Sequence, residues 1–285
     1  MPSSITHQLI AEEAAKQFPP TIQEAAEKHR DYFILGAQGP DALFFIKPLS
    51  KKEFNIGRHL HRYDVYETFR FFLSYLETLS EESRSKMTAY VAGYVCHYAT
   101  DTVFHPFVYA YVKAHGKRGM LHQLIETDWD VYFARTHGGR AVGWKFPFSA
   151  KKLCREGELY FLYRALSEKL NRLPLKQKTF QKGIKNFTRY LWFFHRTSYA
   201  KFWARTERIL HLEPKLSCLY PREKINRNFL ESAEYFSLSG GQGNNADELF
   251  SLAVSKSARL CEEFFSGNLS PSEFNKSFLT AKEIK

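Results

Sequence analysis

The segment from residue 89 to residue 130 carries ionisable side chains at helical spacing. His97, Asp101 and His105 follow one another at intervals of four residues. On an α-helix such side chains project from one face, each about 40° round from the last. The residues around them are apolar or small, so this face is predicted to be buried. Burying an ionised Asp without a partner is costly, and a divalent cation removes that cost. The segment is therefore predicted to be a metal-binding helix.

A second pair of the same type lies on the next predicted helix, which runs from Leu121 to Ala134. His122 and Glu126 are again four residues apart, a spacing that presents two donors to one ion, as in zinc-binding His-x-x-x-His pairs. A single His on an apolar face is more often a hydrogen-bonded core residue than a ligand. Two such pairs, with His105 four residues after Asp101 on the same face, are harder to explain in that way. We therefore expect five ligands from two helices.

Further candidate ligands precede the central helix. His7 lies in the first turn of the first predicted helix, and Asp41 ends a Gly-Pro-Asp turn between apolar flanks. Taken alone, Asp41 would be interpreted as the N-cap of the segment from residue 42 to residue 46. His59 and His61 are two residues apart and face different ways on a helix, so at most one of them readily serves the same ion.

Apolar periodicity predicts an all-α fold, because no segment alternates apolar and polar residues as a strand would. Beyond the metal-bearing pair, helices are predicted over residues 4–18, 21–30, 158–171, 175–210, 222–236 and 246–265, and a polar connection over residues 80–86. A glycine-containing aromatic loop near residue 145 divides the chain. We therefore predict a metal-binding helical core at residues 1–145 and a helical C-terminal part at residues 146–285, packed on the core.

The chain is basic, with a formal net charge of +11 and a pI near 9.4. This charge favours an anionic partner such as a phosphate ester, nucleic acid or a lipid surface, but charge that only keeps a protein soluble explains it equally well. Lys and Arg alternate with aromatic residues between residues 175 and 210. That pattern is more often a packed amphipathic helix with a solvated face than a nucleic-acid or membrane surface.

Cysteine spacing and the N-terminal sequence bear on the compartment. The four cysteines lie far apart with no Cys-x-x-Cys pair, which favours free thiols in a reducing compartment. The N-terminus has no basic segment followed by an apolar run, and no stretch approaches the roughly 18 apolar residues of a membrane span. We therefore expect a cytoplasmic location and no transmembrane segment.

With these residues collected, the chain resembles the zinc-dependent phospholipase C family, whose all-helical fold is shared with the single-strand-specific zinc nucleases. The resemblance covers about residues 4–135 and rests on eight positions that agree with the family in order and type. These positions are His7, Asp41, His61 (or, less readily, His59), His97, Asp101, His105, His122 and Glu126.

The resemblance implies how these residues would divide among zinc ions. One ion would be held by Asp41, His61, His97 and Asp101. A second ion, with an open position for water, would be held by His105, His122 and Glu126. A third ion, held by Asp101 and His7, is completed in the family by an N-terminal Trp that this chain lacks. Two ions are therefore favoured over three.

The resemblance also implies an activity, the hydrolysis of a phosphoric diester by a zinc-bound water, with Asp41 as a ligand and general base. The substrate would be a phospholipid or another phosphodiester, reached through transient contact with a membrane surface. Phosphatidylcholine-cleaving members have an aromatic residue where this chain has Ala42, so the resemblance does not predict which head group the substrate carries. The alternatives are a single-strand-specific nuclease and a non-catalytic metal-containing binding protein.

Overall fold

The computed structural model describes residues 3–46, 55–116, 120–170, 172, 175–211, 220–222, 224–233, 236 and 243–284. Within these ranges the chain is helical and forms no β-strand, which confirms the all-α class. The first helices are α1 (Ser4–Ala15), α2 (Pro20–Lys28), α3 (Arg30–Gly36), the 3₁₀ helix η1 (Gly39–Phe45), α4 (Ile56–Leu60), α5 (Val65–Glu77), α6 (Glu81–Ala114) and α7 (Leu121–Thr136). The later helices are α8 (Ala150–Glu156), α9 (Glu158–Lys169), α10 (Gln177–His195), α11 (Thr197–Leu210), α12 (Asn228–Glu231), α13 (Ala246–Phe265) and α14 (Pro271–Phe274).

Helix α6 forms the centre of the fold. It begins at Glu81, and Glu82 follows it in the first turn, where acidic side chains are favoured by the helix dipole. The polar connection predicted at residues 80–86 is therefore wrong, since most of it belongs to this helix. The middle of α6 is buried almost continuously from Met87 to Val108, and α2, α3 and α13 pack along it. The ligand-bearing face is thus enclosed by the rest of the protein.

Helices α3 and α6 cross where two glycines let their backbones touch. A Cβ atom on Gly93 would lie 2.1 Å from the carbonyl oxygen of Phe33, and one on Gly36 would lie 2.1 Å from the carbonyl oxygen of Tyr90. These distances leave no room for a side chain at either glycine. Because the crossing lies one turn before His97, it brings the end of α3 and the following η1 against the ligand-bearing face of α6.

The first turn of α1 is tied to α7 by a buried carboxylate. Asp130 accepts hydrogen bonds from the main-chain N–H groups of Ile5 and Thr6, at 3.2 and 2.8 Å, and from the Thr6 hydroxyl at 2.8 Å. A carboxylate at a helix N-terminus satisfies amides that have no partner within the helix and is favoured by the helix dipole. These contacts fix His7, which is the next residue along the chain.

The second half of the chain differs in places from its predicted helices. The helix predicted over residues 175–210 is two helices, because Arg196 adopts an extended backbone between α10 and α11. The helix predicted over residues 222–236 begins too early, because residues 222 and 224–227 are not helical, and it is interrupted at Ser232 after the four-residue α12. No described helix has the length and apolar character needed to cross a membrane.

Buried apolar residues from both halves of the chain belong to one core cluster, in which α13 packs on α6 and α10 packs on η1. The second half therefore supports the elements that carry the candidate ligands. The division of the chain at residues 145 and 146 stays a prediction.

Candidate metal centre

Helix α6 presents His97, Asp101 and His105 on one face, as their spacing predicts, with side chains that are 1%, 6% and 8% exposed. Among the described residues, three sets of side chains around this face have ligand atoms within 4.8 Å of one another, and each set could hold a metal ion. Two of the sets share His97 and together form what we call the Asp101 cluster: His7, Asp41, His61, His97 and Asp101. The third set, which we call the Glu126 cluster, comprises His105, His122 and Glu126.

Asp101 lies at the centre of its cluster. Its Oδ1 atom is 3.3 Å from Nε2 of His7, and its Oδ2 atom is 3.4 Å from Nε2 of His97 and 4.0 Å from Nε2 of His61. Nε2 of His61 is also 3.0 Å from Oδ1 of Asp41. The rings of His7 and His97 stack with their centroids 4.2 Å apart. Four chain segments therefore come together in this cluster.

The Glu126 cluster joins α6 to α7. Oε1 of Glu126 is 3.4 Å from Nε2 of His105 and 3.1 Å from Nε2 of His122. Glu126 is buried, whereas the side chain of His122 is 22% exposed. Tyr109, on the turn of α6 that follows His105, contacts both histidine rings and is 37% exposed. This cluster is therefore open to solvent on the side of His122 and Tyr109.

Three of the histidines are oriented by main-chain carbonyl groups. Nδ1 of His61 donates to the Gly57 carbonyl at 2.6 Å, and Nδ1 of His97 donates to the Ala37 carbonyl at 3.2 Å. Nδ1 of His105 donates to the Phe278 carbonyl at 2.6 Å. A hydrogen bond of this kind places the proton on Nδ1 and leaves the Nε2 lone pair free to bind a metal.

The resulting arrangement fits a divalent cation. In the neutral rings, the Nε2 lone pairs of His61 and His97 face carboxylate oxygens at 3.0 and 3.4 Å, and two acceptors at those distances repel unless a proton or cation lies between them. Nε2 of His97 is buried with no hydrogen-bond partner. Ligands of a tetrahedral zinc ion with bonds near 2.1 Å lie about 3.4 Å apart, which is close to these distances. The residues present therefore fit zinc.

The electrostatics of the two clusters differ. Burial lowers the pKa of His97 to about 3, so this ring is neutral and able to act as a ligand at physiological pH. Burial also disfavours a charged His105, but the carboxylates of Asp101 and Glu126 outweigh it and raise the pKa of His105 to about 9. Burial alone would raise the pKa of Asp101, yet the neighbouring histidines lower it below its usual range. Both clusters are therefore built around ionised carboxylates.

The structure distinguishes between the alternatives that the spacing left open. His61 faces Asp41 and Asp101, whereas Nε2 of His59 lies 2.6 Å from Oδ2 of Asp64, away from both clusters. Asp41 lies inside η1 rather than serving as the N-cap of the segment after it. Its carboxylate points at His61 and stays 20% exposed.

Some contributors to the centre carry no sequence signal that could have revealed them. The Ala37 and Gly57 carbonyls orient ligands through the main chain, which residue types do not record. Gly39 has φ of +51°, and a Cβ atom there would lie 2.2 Å from the His97 ring, so only glycine allows η1 to approach so closely. The Gly-Pro-Asp motif signalled a turn but not this contact. Asp130, four residues after Glu126 on α7, binds the main chain of α1.

Comparison with known proteins decides the family. The family model described as zinc dependent phospholipase C matches residues 6–214. The chain belongs to this family. The match includes all eight candidate ligands and extends past residue 135, where the sequence resemblance was thought to end, to take in α8 to α11; helices α12 to α14 lie outside it. Searches among curated proteins and among solved structures gave no match.

Proposed function

We propose that this member of the zinc-dependent phospholipase C family hydrolyses phosphoric diesters, with a phospholipid or a related small diester as substrate. The observation that carries the proposal is the set of His61, His97 and His105 Nε2 atoms that face carboxylates across gaps suited to a cation. The family match supports zinc as the ion and a phospholipid as the substrate class.

The geometry supports at least two ions. His97 can bind a single ion, through Nε2, because its Nδ1 donates a hydrogen bond to the Ala37 carbonyl. We assign that ion to Asp41, His61, His97 and Asp101. We assign the second ion to His105, His122 and Glu126. His7 lies against the other oxygen of Asp101 and would contribute to a third ion if one binds.

Zinc bound in the two clusters would act as a Lewis acid on the phosphate oxygens and would lower the pKa of an attacking water. In the hydrolysis, the water oxygen forms a bond to phosphorus, the bond from phosphorus to the leaving alcohol oxygen breaks, and that oxygen gains a proton. Solvent reaches the clusters at Asp41 and His122, whose side chains are the most exposed of the eight. Substrate and water would therefore enter beside these two side chains.

Asp41 is the residue we assign to the attacking water. Burial opposes its ionised form, but His61 and His97 beside it together outweigh this and lower the pKa of Asp41. An ionised carboxylate that is partly exposed can accept a hydrogen bond from water and orient it. Because a group of low pKa is a weak base, orientation of the water is its main contribution, and proton transfer is secondary.

Helix α10 favours a second candidate function, cleavage of single-stranded nucleic acid. Lys178, Lys182, Lys185 and Arg189 recur at intervals of three or four residues, are all exposed, and share α10 with no acidic residue. Such a basic face suits a polyanion or an anionic lipid surface. The same face could therefore support membrane contact by a lipid hydrolase.

The test combines metal analysis with substrate discrimination. Protein purified without chelator should contain two or three zinc ions per chain by mass spectrometry, and should release phosphorylated head groups from phospholipid vesicles but not nucleotides from single-stranded DNA. His97→Ala and Glu126→Ala should each lose zinc and activity. His59→Ala is the matched control, because His59 faces Asp64 instead of the clusters.

Three results would overturn the proposal. A well-folded protein without bound metal would show that the clusters do not retain zinc. A zinc-loaded protein that cleaves DNA but no phospholipid would favour the nuclease, and one that cleaves neither would favour a metal-containing binding protein.

A further inference from the structure

The last residues of the chain pack against both metal clusters, although they lie outside the range that matches the family. Phe278 is completely buried. Its carbonyl oxygen accepts the hydrogen bond from Nδ1 of His105 at 2.6 Å. Its ring lies against those of His61 and His97, with centroids 5.1 and 5.9 Å away. One residue thus contacts a histidine of the Glu126 cluster and two histidines of the Asp101 cluster.

Phe278 is held in place by a closed loop that we call the C-terminal loop, residues 275–284. The loop is closed by Asn275, whose carbonyl accepts from the Ile284 amide at 2.8 Å and whose side-chain amide donates to the Ile284 carbonyl at 2.8 Å. Within it, the Ser277 amide donates to the Lys282 carbonyl at 2.8 Å. Phe278 therefore occupies the tip of a loop with its own hydrogen bonds.

Tyr98 attaches this part of the chain to α6. Its hydroxyl donates to the Glu273 carbonyl at 2.6 Å and accepts from the Lys276 amide at 3.1 Å. The rings of Tyr98 and Phe278 also make an edge contact at 4.9 Å. Tyr98 is the residue after His97, so the loop is anchored beside the ligands that it contacts.

We propose that the C-terminal loop is an integral part of the metal centre, with Phe278 as a positioning residue for the ligands of both clusters. Its carbonyl fixes the ring orientation and tautomer of His105, so that Nε2 faces Glu126. Its ring keeps water away from the buried sides of His61 and His97. The inference rests on the proposed binding of metal but not on which substrate is cleaved.

The physical reason is that a metal-ligating His needs a partner for its other nitrogen. Such partners typically contribute about 10- to 100-fold to metal affinity. His61 and His97 receive theirs from segments close to η1, but His105 depends on a residue 173 positions away in the sequence. Loss of the loop should therefore weaken the Glu126 cluster most.

The test compares two buried phenylalanines in the same part of the chain. Phe274 is also completely buried, but its ring contacts are with other aromatic residues, Phe69, Tyr98 and Phe264, and with no histidine among the described residues. Phe274→Ala should lower the unfolding temperature and leave the affinity for zinc unchanged. Phe278→Ala keeps the carbonyl but removes the ring that covers His61 and His97, so it should weaken zinc binding about 10-fold, and Phe278→Leu should recover most of that loss.

Zinc affinity is measured by competition with a chromophoric chelator, and cobalt absorption spectra report the ligand geometry. Deletion of residues 276–285 removes the carbonyl as well as the ring and should change the cobalt spectrum of the Glu126 cluster. If the deletion variant does not fold, Phe278→Ala and Phe278→Leu decide the question.

Phe278→Ala with wild-type zinc affinity and an unchanged cobalt spectrum would overturn the inference while leaving the proposed function intact. Wild-type protein that binds no zinc would overturn both. Zinc binding that depends on Phe278 in a protein without phospholipid hydrolysis would support the inference and refute only the proposed function.

Discussion

The two candidate metal clusters lie one helical turn apart on α6 but are assembled in different ways. The Asp101 cluster draws side chains from α1, η1, the C-terminal end of α4 and α6. The Glu126 cluster takes its candidate ligands only from α6 and α7, which are neighbours in the sequence. The first cluster is thus a product of long-range packing, and the second follows from helical spacing and one helix pair.

Burial accentuates this difference. Asp101 is surrounded by buried histidines, and an ionised carboxylate in such a place is stable only with a compensating cation. Water reaches the Glu126 cluster at His122, which is 22% exposed, and reaches the Asp101 cluster at Asp41, which is 20% exposed, while Asp101 itself and its three histidines are buried. We therefore expect the Asp101 cluster to couple metal binding to folding, and the Glu126 cluster to exchange its ion and admit substrate.

Removal of metal tests this comparison most strongly. A chelator should strip the Glu126 cluster in a fast phase and the Asp101 cluster in a slow phase. The metal-free protein should lose about 4 kcal/mol of stability if zinc is present at roughly 1,000 times its Kd. Stopped-flow metal release and calorimetry measure the two effects. Release in a single phase with an unchanged unfolding temperature would contradict the comparison.

Substitution at the centre of the buried cluster should have the next largest effect. Asp101→Asn keeps the shape but removes the charge that the histidines share. Hydrolysis should fall by more than about 100-fold, since even outer partners of metal ligands contribute about 10- to 100-fold. The ion of the Glu126 cluster should remain. Asp64→Asn, at the exposed pair with His59, is the control and should keep full metal content.

Substitution in the Glu126 cluster should destabilise the fold less than substitution in the Asp101 cluster. Glu126→Gln should remove one zinc ion and most of the activity, and should lower the unfolding temperature less than Asp101→Asn does. Metal analysis and thermal unfolding of the two variants, measured side by side, decide the point. Equal destabilisation by both would mean that exposure does not separate the clusters.

The smallest effect concerns His195, which lies outside both clusters. Burial lowers its pKa to about 4, against 6.5 for an ordinary His. The unfolded chain therefore binds a proton that the folded chain does not, and stability falls as the pH drops from 6.5 to 4, by up to about 3 kcal/mol. His195→Gln should flatten this part of the stability profile and leave zinc content at pH 7 unchanged. Denaturant unfolding at several pH values measures it, and an unchanged profile would contradict the assignment.

Part of the fold could be predicted because its signals are local. The spacing of His97, Asp101 and His105 fixed their common face, and the absence of strand periodicity predicted the all-α class that the structure confirms. The break between α10 and α11 was missed because Arg196 carries no glycine or proline signal. Helix boundaries of that kind are decided by packing rather than by propensity.

By itself, the sequence determined the fold class, the helix pair that carries the candidate ligands and the residue types suited to zinc, because residues four apart lie on one face of a helix. Only the tertiary structure placed His61 rather than His59 beside Asp41, brought His7 to Asp101, and set Phe278 against both clusters. These contacts join segments far apart in the chain, several of them through main-chain carbonyl groups. No residue pattern records which carbonyl a folded chain will present to a distant histidine.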